Sequence, residues 1–550
     1  MLTSFLNSLP LYQLLRRGSK RFDLGMAALV VFAGLTNAAL LAIINAAAAN
    51  ARDDVANGRL LALFGVTIAL YIYTQRHILF TAITEVERLL SGIRVRIADR
   101  IRKADLDPLE QVGRSEIYGL VSRETQMISQ AAGTIIMALQ STMMVLFSII
   151  YILILSRAAF VITIGMTWLG LVLHFRRSAQ LNALLRDAQQ RENDFLAALT
   201  HLLDGFKEAR LNRARSADLF AHISGISTSV EEVKSNAGTQ FSAHYIFAQA
   251  MFYAVLAAIV FLMPRVSLAS GDVVLKLTAA VLFIIGPLGA IVAAIPMYSA
   301  ANVAAANIFT LEQKLEESSA PDVNGRPEAA APAPFHRFEL KRVVFQYSER
   351  SSGSVFRLGP IDFHVGSGEI VFVVGGNGSG KSTLLKVLTG LYHPQSGSMV
   401  MDDTLVTPST ATWYRSHFTA VFSDYHLFDR LYGLRNVPPE RVNELLRLMR
   451  IEDKTTFEGG RFTNLDLSSG QRKRLALIVA LLEDRPVLVL DEWAADQDPT
   501  FRKFFYETLL GDLKQRGKTV IAATHDDRYF AVADRVVKME YGEFVPYGGV

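Results

Sequence analysis

Six apolar stretches, each long enough to cross a bilayer, fall within the first three hundred residues of the 550-residue chain. They lie near residues 24–48, 58–80, 131–155, 157–176, 244–264 and 273–297, and one crossing takes about 20 residues. A soluble domain buries a single run of this kind as a core helix; six in succession predict a helical membrane domain set in a lipid bilayer. The third and fourth runs are parted only around Ser156 and Arg157, which predicts a tight helical hairpin. Mean hydropathy is +0.26, high for a chain that must cover its core with charge. The charged fraction of 20% is slightly below the usual quarter. Residues 335–550 lack this character and read as an ordinary soluble α/β domain.

Basic residues orient the spans. Arg16, Arg17, Lys20 and Arg21 precede the first. The 83–130 loop carries Arg88, Arg94, Arg96, Arg100, Arg102, Lys103, Arg114 and Arg123. The 177–243 loop carries Arg177, Arg186, Arg191, Lys207, Arg210, Arg213, Arg215 and Lys234. Opposite them stand Arg52, Arg157 and Arg265. Both termini are therefore expected in the cytoplasm. The net charge of +4 is too small to read as nucleic-acid binding, and no such partner is expected. With no cysteine in the chain, disulfides, zinc-thiolate sites, iron–sulfur clusters and cysteine nucleophiles are excluded. The N-terminal MLTSFLNSLPLYQLLRRGSKR lacks the order of a signal peptide and reads as an amphipathic lead-in.

The two basic loops are periodic. Leu89, Ile93, Ile97 and Ile101 recur four apart, one apolar stripe on a helix. About 24 residues at the helical rise reach roughly 36 Å. Pro108 and Gly113 are expected at the turn, with a return helix through Ile117 and Val121. The 177–243 loop repeats the plan around a turn at 201–212. Such hairpins are either stalks carrying a contact helix away from the membrane or solvated helices with no mechanical role. Residues 316–334, rich in Pro, Ala and Glu, read as a linker. The expected domains are a membrane domain over 1–315, that linker, and the α/β domain over 335–550.

Phe338 to Tyr347 alternates like a strand, and Glu369 to Val374 reads as a buried one. The next residues, Gly375 to Ser382, fit G-x-x-x-x-G-K-[ST], the phosphate-binding loop. Gly375, Asn377, Gly378 and Gly380 supply a backbone that can wrap phosphate, and Lys381 neutralises its charge. Ser382 is placed to bind Mg²⁺, and a helix expected from Thr383 points its positive end at ATP. Downstream, the apolar strand Val487 to Leu490 ends in Asp491 and Glu492. Asp491 can hold the magnesium through water, and Glu492 is placed to polarise the attacking water.

About twenty residues before those acids stands Leu467-Ser468-Ser469-Gly470-Gln471, continued by RKRLAL. This string resembles the LSGGQ signature of ATP-binding cassette (ABC) proteins. By that resemblance Tyr347 corresponds to the aromatic residue that stacks on adenine, and 495–498 to the loop after the catalytic glutamate. His525, in ATHDD, corresponds to the switch histidine near the γ-phosphate. Taken singly, Tyr347 also reads as strand packing, His525 as a loop side chain and Ser468 as a helix N-cap. The resemblance spans the chain: six spans, two hairpins, a linker and one cassette match a half-transporter of ABC exporters. LSSGQRKRLAL, DEWAADQDP and HDDRYF resemble the cyclic-peptide exporter group, which includes exporters of nonribosomal lipopeptides, pyoverdine-type siderophore precursors and lasso-type microcins.

The resemblance implies a homodimer. Each ATP would lie between Lys381 of one chain and Ser468, Ser469, Gly470, Gln471 and Asp498 of the other. Cassette closure would then switch a cavity from cytoplasmic to external access. One departure stands out: Ser423, followed by Asp424, occupies the position of a glutamine that usually contacts Mg²⁺. Serine is too short for that reach, so water or Asp424 is left to do the work.

Within the spans, Gln140, Ser141, Thr142, Gln249 and Lys276 are polar enough to line a cavity, or to bond within their own helices. Gly286-Pro287 admits a gate hinge or a passive kink. No N-terminal cysteine-protease domain is read, which argues against leader-cleaving exporters. The expected function is ATP-driven export of a cyclic or modified peptide, such as a siderophore precursor, across the bacterial inner membrane. Rival readings are a lipid flippase, a siderophore importer on an exporter fold, and an ATP-gated membrane sensor.

Overall fold

The structure is a computed structural model that describes residues 9–18, 24–49, 54–266, 271–317, 334–348, 355–434 and 436–547. The chain divides into two compact units, Met1–Arg96 with Tyr118–Leu311, and Ile97–Ile117 with Glu312–Val550. Most of the expected linker at 316–334 and the first eight residues lie outside the described residues.

The first unit is helical. Among the described residues, five helices are long and apolar enough to cross a membrane: Gly25–Ala48, Asn57–Lys103, Ile117–Leu155, Arg213–Arg265 and Gly271–Glu317. The fourth expected run appears as the shorter apolar stretch Arg157–Gly170, at the start of a helix that continues to Asp204. Ser156 makes the hairpin. Its backbone is extended, at φ −162° and ψ 123°, and its hydroxyl accepts from the Ala159 N–H at 3.3 Å. Large apolar side chains point outward, among them Leu61, Phe80, Ile154 and Phe261, each more than 70% exposed. A water-facing surface would make such a patch costly, whereas lipid makes it the favoured one.

Polar groups in these helices mostly find partners. Thr142 donates to its own helix at the Ala138 carbonyl, 2.8 Å, and Gln249 donates to Tyr245 Oη at 3.1 Å. Lys276 lies 3.5 Å from Asp272 one turn back. Gln140 is buried and accepts from Gln75 at 2.8 Å across a helix seam. Asn45 crosses another seam to Tyr151 Oη at 3.2 Å. Helix Gly271–Glu317 carries both Pro287 and Pro296 without ending at either.

The expected stripe on the first basic loop belongs to one uninterrupted helix, Asp54–Lys103. Leu89, Ile93 and Ile97 are buried on it, and Ile101 is half-buried. Pro108 does not sit in an open turn; it falls within the short helix Leu106–Val112, close to its start. A missing N–H costs nothing in a first helical turn. Gly113, at φ 85°, ends that helix. The second turn likewise holds a short helix, Phe206–Leu211, followed by Asn212, whose side chain caps the helix Arg213–Ala257.

In the second unit, a six-stranded sheet runs in the order Glu543–Val545, Arg535–Glu540, Ile370–Val374, Thr519–Ala523, Val487–Asp491, Phe418–Val421. Its three central strands are buried along their whole length, as parallel strands covered on both faces must be. A four-stranded antiparallel sheet, built on Arg337–Ser348 and Val355–Gly366, packs over one core. Helices 439–448 and 469–483 pack over the other.

Residues 97–117 belong to this unit and form ion pairs within it. Asp105 meets His393 and Arg415, each at 3.2 Å. Burial opposes its charge, yet His393 and Arg415 hold its carboxyl below the usual range. Glu110 meets Lys386 at 3.0 Å and accepts from Tyr392 Oη at 2.5 Å.

Candidate nucleotide site

Strand Ile370–Val374 releases the chain into the phosphate loop, and the helix that follows begins at Lys381, two residues before the expected start. Gly375 carries φ 154°, and a Cβ there would meet the Met539 carbonyl oxygen at 2.3 Å. Only glycine fits that close approach. A cavity of about 520 Å³ lies over the loop. Asn377, Gly378, Gly380, Lys381, Ser382 and Thr383 line it, together with Tyr347, Phe356 and Glu492. Tyr347 and Phe356 face each other there, ring centroids 5.6 Å apart. Phe356 is a lining residue that sequence reading missed, since it looks like one more apolar position on an alternating strand.

Lys381 is only 5% exposed. Its ammonium donates to the carbonyls of Gly375 and Gly376 at 3.0 and 3.1 Å and lies 3.3 Å from Glu492 Oε1. His525 Nε2 stands 3.1 Å from the same oxygen. The expected trio is thus gathered at one point. Burial opposes the Glu492 charge, but the His525 hydrogen bond and the Lys381 ammonium prevail and hold its carboxyl below the ordinary range. That favours the ionised form, the one able to accept a proton.

Asp491 is buried at the end of its strand. One carboxylate oxygen accepts from the Ser423 N–H at 3.4 Å; the other has no protein partner among the described residues. The Ser379 hydroxyl is orphaned in the same way. Buried orphans of this kind ask for an explanation. The unpartnered Asp491 oxygen and the Ser382 hydroxyl are hard oxygen donors of the kind that suit magnesium. At the departure from the usual glutamine, contact with Asp491 comes from the Ser423 backbone, and the Ser423 and Asp424 side chains are exposed.

The signature residues stand apart from this cavity. Ser468 caps the helix Ser469–Glu483 in a reciprocal box with Gln471, the ordinary reading of that serine, and none of residues 468–471 lines the loop cavity. Asp498 is also engaged elsewhere: it caps the helix Pro499–Phe504 and pairs with Arg474 at 2.6 Å. The chain therefore gathers the phosphate loop, the acids and His525, and presents the signature on a separate surface.

Fold and site together define a membrane-embedded P-loop ATPase. The ABC transporter family model matches residues 358–495. The chain is 34% identical over 491 residues to ATP-binding protein SyrD of Pseudomonas syringae pv. syringae, covering 87% of this chain and 86% of that one. It is 32% identical over 205 residues to the probable syringafactin export ATP-binding/permease protein SyfD of P. syringae pv. syringae strain B728a, covering 34% of this chain and 30% of that one. A solved bacterial Atm1-family ABC exporter with ATP bound superposes with a TM-score of 0.76 at 16% identity, over 96% of this chain and 95% of that one. The chain belongs to the ABC transporter family, as an ATPase coupled to transport, and it has the fold of an exporter half-transporter.

Proposed function

We propose that two copies of the chain form an exporter of a cyclic or modified peptide in the bacterial inner membrane, with both termini cytoplasmic. The carrying observation is the division of the ATP-site elements: one cavity holds the loop, Glu492 and Tyr347, while residues 468–471 head a different helix. A second copy supplies what the cavity lacks. In this reading Tyr347 stacks on adenine, Lys381 neutralises the phosphates, Glu492 polarises the attacking water, and His525 orients Glu492. Ser382 and Asp491 would hold Mg²⁺, which when bound offsets phosphate charge. Residues 1–315 form the membrane domain with six spans, 316–334 the linker and 335–550 the cassette.

The cargo reading draws on the strings LSSGQRKRLAL, DEWAADQDP and HDDRYF and on the relative named for syringafactin export. Its physical motive is the cost of carrying unpaired amides through hydrocarbon, several kcal/mol each. An alternating cavity never exposes them to lipid. Inside-out vesicles holding the protein are expected to take up a labelled cyclic lipopeptide only with hydrolysable ATP. Rapid movement of labelled phospholipid, with no peptide uptake, would replace this reading with a flippase.

At the glutamine departure, Asp424→Ala is expected to lower magnesium-dependent turnover by about tenfold, a typical scale for a group orienting metal-bound water. Ser423→Ala leaves it nearly unchanged, because Ser423 contacts Asp491 through its backbone. Steady-state ATPase across a magnesium titration measures both; two negligible effects would assign the task to water alone.

A further inference from the structure

Several bonds tie the signature helix to Glu492 and the residues just after it, and none of them uses a side chain that lines the loop cavity. Lys473, in the second turn of helix Ser469–Glu483, is at their centre and is 7% exposed. Its ammonium donates to the Glu492 carbonyl at 2.8 Å and lies 2.9 Å from Asp496 Oδ2. Its own carbonyl accepts from the Trp493 indole at 2.7 Å, and Trp493 is fully buried. One turn earlier the Gly470 carbonyl accepts from Gln497 Nε2 at 3.1 Å. The backbones nearly touch there, since a Cβ on Gly470 would meet the Asp496 carbonyl oxygen at 2.6 Å.

Glu492 occupies φ 49° and ψ 36°. That left-handed geometry is disfavoured for any residue with a Cβ. It persists only where surrounding bonds over-determine it. The Lys473 ammonium, bonded to the carbonyl of that same residue, is such a bond. A buried ammonium also needs its partners, and here it has a carboxylate and a carbonyl.

We propose that Lys473 is a positioning residue for ATP hydrolysis. It holds the Glu492 backbone in its left-handed turn, so that the carboxylate reaches Lys381 and His525. It also fastens that turn to the start of the signature helix. The second role rests on the composite-site reading above: the glutamate serving a chain's own nucleotide and the signature offered to its partner's nucleotide then move as one body. Each site thereby reports its state to the other.

The test uses the full-length protein in lipid nanodiscs. Lys473→Met is expected to lower kcat by about tenfold or more while KM for ATP stays within about twofold, the pattern of a lost transition-state interaction. Lys473→Arg, which keeps a donor for the Glu492 carbonyl, restores most of kcat. Binding of a non-hydrolysable ATP analogue checks that the methionine variant is folded, and Lys473→Gln replaces it if it is not. A Hill coefficient for ATP above one in the parent is expected to fall toward one. Unchanged kcat, or kcat lost together with analogue binding in both the methionine and glutamine variants, overturns the positioning role. A parent without cooperativity, or a variant that keeps it, overturns the link between sites. The kcat effect arises within one chain, so it survives or fails independently of the composite site, which mixed dimers test.

Discussion

Replacing Glu492 with glutamine is expected to lower ATP turnover by about 10²–10⁴-fold while ATP binding survives. The amide keeps the shape and can still bond His525, but it cannot accept a proton from water. Binding survives because Lys381 retains the Gly375 and Gly376 carbonyls and loses an anion that sits 3.3 Å away. The variant should accumulate as an ATP-bound closed dimer, measured as occluded nucleotide beside steady-state ATPase. Near-normal ATPase would remove Glu492 from the role. The pH profile of the parent offers a second reading. A carboxyl held below its ordinary range is ionised above its folded pKa and loses that form only as pH falls through it. The acid limb of turnover should therefore begin below the range of an ordinary glutamate, and His525→Ala should move it upward.

Lys381→Ala is expected to weaken ATP binding by about 10- to 100-fold, the equivalent of about 1.5–3 kcal/mol for a hydrogen bond to a charged group. Equilibrium binding of ATP to the purified chain measures it directly. Its greater use is in combination with Ser468→Ala, which should spare binding to a single cassette yet block closure. Each variant alone forms dimers with two damaged sites. In a mixed dimer with composite sites, both defects fall in one sandwich and the other is intact, so coexpression should restore a substantial part of the ATPase. If each chain completed its own site, both sites of the mixed dimer would be damaged and nothing would return.

The phosphate loop and the acid pair are legible in the sequence because backbone geometry dictates their residue types. Gly375 stands against a carbonyl, and Asp491 and Glu492 end a strand that is apolar throughout. The membrane helices are legible because hydrocarbon demands unbroken apolar length. Boundaries are less so. The helix from Asp54 to Lys103 passes from an apolar run to a one-sided stripe without a break, and composition marks only the change of surroundings. Lys473 is hidden for a different reason. In RKRLAL it looks like one of three solvated cations, and its burial depends on Trp493 and Asp496 some twenty residues on. Arg474 is hidden likewise, stacked 3.7 Å over Phe501 and paired with Asp498. Tertiary contacts bury these cations, and the local pattern does not announce them.

The cap at Ser468 carries a consequence for the hydroxyl itself. Its oxygen accepts from the Gln471 N–H at 3.4 Å, and Gln471 Oε1 accepts in turn from the Ser468 N–H at 3.1 Å. A hydroxyl has one proton and two lone pairs, so accepting this bond leaves the proton uncommitted and the side chain exposed. One atom can thus end a helix and still donate to a phosphate oxygen on a facing molecule. Alanine at 468 deletes both capacities together, whereas aspartate would keep the cap and present a negative charge in place of the donor. Under the proposed composite site, capping and nucleotide contact would be the two faces of one oxygen, the acceptor turned toward its own helix and the donor left free for the facing molecule.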